Sequence, residues 1–122
     1  MGKMILVVDD SSSMRQVVSM ALKGGGYDVI EACDGKDALA KLSGQKIHLV
    51  ISDVNMPNMD GITFVRELKK IATYKFMPVI MLTTEGSDEK KKAGQDAGAK
   101  AWVVKPFQPQ QMLAAVSKLV LP

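Results

Sequence analysis

Residues 48–61 read HLVISDVNMPNMDG. Leu49, Val50 and Ile51 form an apolar run, and one residue later comes a carboxylate, Asp53. A Met-Pro turn follows. From Gly61 onward apolar side chains recur at helical spacing, at Phe64, Val65, Leu68 and Ile71. A short continuous apolar run bounded by turn residues reads as a strand buried on both faces. Such a strand, followed at once by an amphipathic helix, is one βα unit of a parallel sheet. The question the stretch raises is why an acid stands at the tip of that strand.

The same unit repeats along the chain. Apolar, β-branched runs occur at 4–9, 28–32, 47–53, 78–83 and 101–105. Between them lie helical stripes: Met14, Val17, Val18, Ala21 and Leu22 in the first, then Ala38, Leu39 and Leu42, and in the last Met112, Leu113, Val116, Leu119 and Val120. Ser12 suits an N-cap, the run Gly24-Gly25-Gly26 a helix stop, and Pro109 a first helical turn. A fourth helix over 87–97 has only Ala93 and Ala97 as anchors and Gly94 in its middle, so it is expected to be the least stable and the most mobile. The pattern predicts an α/β fold, (βα)5, with a doubly wound parallel sheet of five strands in the order 2-1-3-4-5 and right-handed crossovers.

Composition narrows the function. With 122 residues and 47% hydrophobic side chains, one domain over 1–122 is expected, with no linker and no output domain. No apolar run approaches the ~20 residues of a membrane span. MGKMILVVDD is no signal peptide, because its short apolar run meets two acids. One cysteine, Cys33, excludes an internal disulfide and a thiolate cluster and fits a reducing cytoplasm; without supporting partners it does not read as a nucleophile. Net charge is +3, and the run Lys90-Lys91-Lys92 follows Asp88 and Glu89 with no aromatic interleaved. It reads as a solvated helix face, so neither nucleic acid nor membrane is expected as a partner.

The unusual polar residues fall at strand tips: Asp9 and Asp10 after the first, Asp53 after the third, Thr83 after the fourth and Lys105 after the fifth. In the order 2-1-3-4-5 the sheet reverses between strands 1 and 3, the place where ligands bind in such folds. Each acid alone could be a helix cap. Three together are costly, since two unit charges ~5 Å apart repel by ~3 kcal/mol at an effective dielectric of 20. Either one acid takes a proton or a cation joins them. An oxygen-only site of carboxylates, a backbone carbonyl and water suits Mg2+. With Lys105 as a second cation and Thr83 as a donor, the set is equipped for phosphoryl transfer to an Asp nucleophile.

These residues carry a resemblance. Through ILVVDDS, DVNMPNMDG, VIMLTTE and VVKPF the chain resembles, over essentially its whole length, the receiver domain of bacterial response regulators, whose fold is flavodoxin-like. VVDDSSSMR makes it similar to the single-domain chemotaxis (CheY) type. The resemblance implies that Asp53 is the phosphoacceptor, Asp10 a direct Mg2+ ligand and Asp9 a ligand through water. It implies that Asn55 lends its backbone carbonyl to the metal, that Thr83 bonds the phosphoryl oxygen and that Lys105, before a cis Pro106, pairs with it. Trp102 stands where the family commonly has a Tyr or Phe switch. An indole is larger than a phenol and donates only through N–H, which is expected to hinder full inward rotation.

The implied function is a phosphorylation-activated response regulator. It would receive phosphate from a histidine kinase, a chemotaxis kinase in particular, or from a small donor. It would then remodel the face of helix 4, strand 5 and helix 5 and bind a target such as a flagellar switch protein. A phosphatase is a further implied partner, and the protein is expected to be a cytoplasmic monomer. It is not expected to be an enzyme toward external substrates, only to catalyse its own phosphorylation and dephosphorylation, with a lifetime set by positions such as Asn55 and Glu85. One alternative is a phosphorelay or kinase-regulating receiver outside chemotaxis. A remoter one is a haloacid-dehalogenase-type phosphatase, disfavoured because Asn55, not an acid, stands two residues after Asp53. His48, the single histidine, reads as structural, and Met14, Met56 and Met59 are candidates for the site mouth.

Overall fold

Alternating side chains in the strands divide the interior into two layers. The computed structural model describes residues 3–42, 46–54, 56, 59–83 (Thr83 by its backbone), 92, 95–104 and 108–120. The elements are β1 (Met4–Val8), α1 (Ser12–Gly24), β2 (Asp28–Ala32), α2 (Gly35–Lys41), β3 (Leu49–Asp53), α3 (Gly61–Lys70), a 3-10 turn (Ala72–Tyr74), β4 (Val79–Thr83), β5 (Ala101–Val104) and a C-terminal helix (Pro109–Leu119). All strand pairs are parallel, as the alternation of patterns predicts, and the sheet has the expected order β2-β1-β3-β4-β5.

Leu6, Val8 and Val50 point to one face, where they pack with Ala38 of α2 and with Phe64, Val65 and Leu68 of α3. Ile5, Val7, Leu49 and Ile51 point to the other, against Val18 and Leu22 of α1 and Met112 and Val116 of the C-terminal helix. β3 is buried along its whole length, so its apolar residues serve both layers and no alternation is visible in its sequence. Fully burying one such side chain stabilises by ~1.5–3 kcal/mol before entropy is counted.

Several expectations are corrected. The N-cap of α1 is Ser11, whose Oγ accepts from the Met14 N–H at 3.2 Å; Ser12 is already helical. Val17 is 51% exposed, because it lies ~100° around the helix from Val18, and Val18 and Leu22 take the sheet-facing line. Ile71 is 37% exposed and extended, closing α3 rather than extending its buried stripe beyond Leu68. β1 stops at Val8 and β3 begins only at Leu49, so Asp9 and His48 flank strands rather than lie in them. α1 does end in its glycines, with the positive φ of +92° at Gly26. Of the fourth helix expected over 87–97, Lys92 and residues 95–97 are helical. Its other residues, and the mobility expected of them, lie outside the described residues. Among the described residues no helix is long and apolar enough to cross a membrane.

Candidate functional site

β1 lies between β2 and β3, with Val8 opposite Ser52. The next residue of each strand is therefore an acid, and Asp9 and Asp53 emerge side by side at the carboxyl edge. Asp9 is 1% and Asp53 7% exposed, whereas Asp10 is exposed. One oxygen from each of the three carboxylates lies within 4.8 Å of the others.

Local bonds hold Asp9 and Asp53. The Asp9 N–H donates to the Ala32 carbonyl (3.1 Å), tying the end of β1 to β2. Its Oδ1 accepts from the Ser11 N–H (2.9 Å), which turns the carboxylate over the start of α1, where the helix dipole favours negative charge. Its carbonyl accepts from Nη1 of Arg15 (2.6 Å). Asp53 Oδ1 accepts from the Val54 N–H (2.9 Å), and its carbonyl accepts from the buried Ser52 hydroxyl (2.9 Å). The Gly61 N–H donates to the Val54 carbonyl (2.8 Å), and Asp60 caps α3 through Oδ1 and the Thr63 N–H (2.7 Å). The turn after the acid is thus tied back to the strand that carries it.

The donor set is oxygen only, which matches a hard cation such as Mg2+. Ligand oxygens on opposite sides of an ion with ~2.1 Å bonds are ~4.2 Å apart. A separation of up to 4.8 Å fits two carboxylates bound directly and a third through water. Two charges at that distance repel by about 3 kcal/mol at an effective dielectric of 20, so a cation relieves a real cost.

The structure brings Asp9, Asp10 and Asp53 together. The Thr83 backbone closes β4 one residue beyond Leu82, the register partner of Asp53, and pairs with Val104. Asn55, Lys105 and Pro106 lie outside the described residues, as does Glu85. Trp102 pairs with Met81 and is half-buried; its Nε1 is buried and has no hydrogen-bond partner among the described residues. Met56 and Met59 pack against the layer of α2 and α3, and Met14 against the opposite layer. His48 Nδ1 accepts from the Met4 N–H (3.0 Å), a structural bond at the other end of the sheet. Burial and then Asp37 push the exposed Cys33 thiol up, which favours the unreactive protonated form.

Three contributors escaped the sequence reading. Arg15 and Ser52 bond to the main chain of site residues, and nothing in their spacing announces it. Gly61 marks only the start of the helical stripe in sequence, yet it packs directly against the Asp53 backbone.

The family described as the response regulator receiver domain matches residues 5–117. A solved structure of the Vibrio cholerae chemotaxis protein CheY4 is 46% identical, covers 98% of this chain and 99% of its own, and superposes with a TM-score of 0.94. The alkaline phosphatase synthesis transcriptional regulatory protein PhoP of Bacillus subtilis is 38% identical over 121 residues, covering 98% of this chain and 49% of the relative. The phosphate regulon transcriptional regulatory protein PhoB of Pseudomonas aeruginosa is 34% identical over 119 residues, covering 98% of this chain and 52% of the relative. The chain therefore spans about half the length of the curated relatives it matches.

Proposed function

The chain belongs to the response regulator receiver domain family, and on that premise we propose that it accepts a phosphoryl group on Asp53 from a histidine kinase and passes the signal on by a change of shape. The observation that carries the reading is the convergence of the Asp9, Asp10 and Asp53 carboxylates at the edge between β1 and β3. Asp53 is held by its own backbone, with Oδ1 accepting the Val54 N–H, and its other carboxylate oxygen is the proposed nucleophile. That oxygen bonds to phosphorus as the P–N bond of the donor phosphohistidine breaks; the bonding pair stays on the imidazole nitrogen, which takes a proton. Hydrolysis later returns inorganic phosphate and the Asp53 carboxylate.

Asp9 and Asp10, with the Asn55 carbonyl, are proposed to hold Mg2+ beside Asp53. When bound, that ion supplies charge neutralisation for the phosphoryl oxygens. Lys105 and Thr83 are proposed to contact the phosphoryl group, one as a cation and one as a hydroxyl donor. Drawing Thr83 inward would loosen the packing between β4 and β5 and let Trp102 move. The groove beside Trp102, about 390 Å3 between β5 and the C-terminal helix and bordered by Lys100 and Lys118, is then the surface whose shape changes for a target.

Likeness to a chemotaxis protein over nearly all of both chains supports a role in chemotaxis, with a chemotaxis kinase as donor and a flagellar switch protein as target. The match to two transcriptional regulators supports a second reading, a receiver that serves an output or relay outside chemotaxis. In either case the protein acts in the cytoplasm and is no enzyme toward external substrates; multiple turnover of a phosphomonoester would contradict that. The central test is uptake of beryllofluoride with Mg2+, read by the fluorescence of the single tryptophan, Trp102. Wild type is expected to respond at one equivalent and Asp53→Asn not at all. No response by wild type, or an equal response by the variant, overturns the reading. Binding of the activated protein to a flagellar switch protein separates the two outputs.

A further inference from the structure

We propose that Arg15 is a positioning residue: anchored by Glu31, its guanidinium clamps the Asp9 carbonyl and so sets the β1–α1 corner from which Asp9 and Asp10 reach Asp53. The proposal rests on the reading of those three acids as the Mg2+ carboxylates.

Arg15 lies in the first turn of α1, and its backbone N–H bonds to the Ser11 carbonyl (2.9 Å). Its side chain does two things at once. Nη1 donates to the Asp9 carbonyl at 2.6 Å, and Nε lies 3.5 Å from Oε1 of Glu31, which faces α1 from β2. The Arg15 side chain is 20% exposed and that of Glu31 41%, so the guanidinium is the sheltered member of the pair. The fork of a guanidinium can reach a carbonyl and a carboxylate in fixed directions together, which a lysine ammonium on a flexible stem cannot reproduce.

The clamp adds to two other bonds on the same residue. Asp9 is held through its N–H by Ala32, through its Oδ1 by Ser11 and through its carbonyl by Arg15. The Ser11 bond closes a turn across the peptide that joins Asp9 to Asp10, and the Arg15 bond holds that peptide's carbonyl from the side of α1. Together they set the direction in which exposed Asp10 leaves the chain. Groups behind the direct ligands of a metal commonly change its affinity by 10–100-fold when removed.

The competing reading is a plain positive charge near three negative ones, and it predicts the opposite sign. A cation beside the acids disfavours Mg2+, so deleting it would tighten metal binding. Calorimetric Mg2+ titration of Arg15→Lys and Arg15→Gln separates the two. Positioning predicts a Kd about tenfold weaker for both variants. Charge alone predicts an unchanged Kd for Arg15→Lys and a tighter one for Arg15→Gln. Glu31→Gln is expected to weaken binding in the same direction by a smaller factor.

A readout without metal accompanies the titration. The Ser11 amide, bonded to Asp9 Oδ1, is expected to exchange with solvent about tenfold faster in metal-free Arg15→Lys, as it does when a local hydrogen bond opens more often. Unchanged Kd and unchanged Ser11 exchange, with wild type binding Mg2+ normally, overturn the proposal alone. Failure of wild type to take up Mg2+ overturns the metal reading as well.

Discussion

A side chain on Gly61 would collide with the main chain of Asp53. A Cβ built on Gly61 lies 2.0 Å from the Asp53 carbonyl oxygen and 2.9 Å from its carbonyl carbon. Real Cβ contacts of that length do not occur, so the loop between the acid and α3 closes only with glycine at its end. Gly61→Ala is expected to destabilise the fold by about 1–3 kcal/mol, the usual cost of overpacking a buried site. It should also lower beryllofluoride uptake, because the strain falls on the peptide that carries the acceptor. Urea unfolding and fluorescence titration of one preparation check both; wild-type values in both would show that the loop absorbs the methyl without moving Asp53.

Crowded carboxylates make a stability prediction. Adding Mg2+ at ten times its Kd is expected to raise the unfolding free energy of wild type by about 1.4 kcal/mol. Asp10→Asn should behave in the opposite way. Without metal it relieves part of the repulsion and gains about 1 kcal/mol, since exposure of Asp10 screens the pair energy. With metal it should gain nothing further. Urea midpoints with and without Mg2+ decide the matter, and a Mg2+ increment retained by Asp10→Asn would remove Asp10 from the metal site.

His48 ties the amino ends of two strands together. Its Nδ1 accepts from the Met4 backbone N–H at 3.0 Å, and the His48 backbone N–H donates to the Met4 carbonyl at 2.8 Å. His48→Ala leaves the Met4 amide without that partner and is expected to cost about 1–3 kcal/mol in urea unfolding. Phosphoryl uptake on Asp53 should be unchanged, because the two residues stand at opposite ends of β3. Loss of uptake with stability intact would instead give the histidine a part in the chemistry.

Asp37 sets a pH dependence at the start of α2. The Cys33 backbone N–H, 3.0 Å from Oδ2, holds its carboxyl below the ordinary carboxylate value, against some desolvation and with help from Lys41 at 3.2 Å. A carboxyl whose folded value is depressed stabilises the protein above its unfolded value, ~3.9, and loses that contribution as pH falls through the folded value. The stability gap between wild type and Asp37→Asn is therefore expected to be constant at neutral pH and to close below about pH 4. Thermal melts over an acid series measure it; a gap that does not change with pH would show that the bond, not the charge, is what Asp37 contributes.

The strand and helix pattern was readable because it is local. The run Leu49-Val50-Ile51 and the stripe Phe64, Val65, Leu68 announce their elements through spacing alone, and the alternation of the two implies a parallel sheet. Details of one residue were not readable. Ser11 and Ser12 are chemically equal caps, and the choice fell to Ser11 because Asp9 Oδ1 already receives its N–H. Val17 belongs to the apolar stripe by spacing, yet only one line of α1 can touch the sheet. Ile71 continues the stripe of α3 in sequence, but the helix has ended before it.

The amino-acid sequence by itself determined the alternation of strands and helices, the parallel sheet and the arrival of acids at the tips of β1 and β3, which follow from periodicity and chain connectivity. The strand order 2-1-3-4-5 is the one that the family resemblance implies. Only the tertiary structure decided how near the acids come, that Gly61 must lack a side chain against Asp53, and that Arg15 spans from Glu31 to the Asp9 carbonyl. These are contacts between main chain and side chains brought together by packing. Their energies depend on distances of tenths of an ångström, and spacing along a chain carries no such measure.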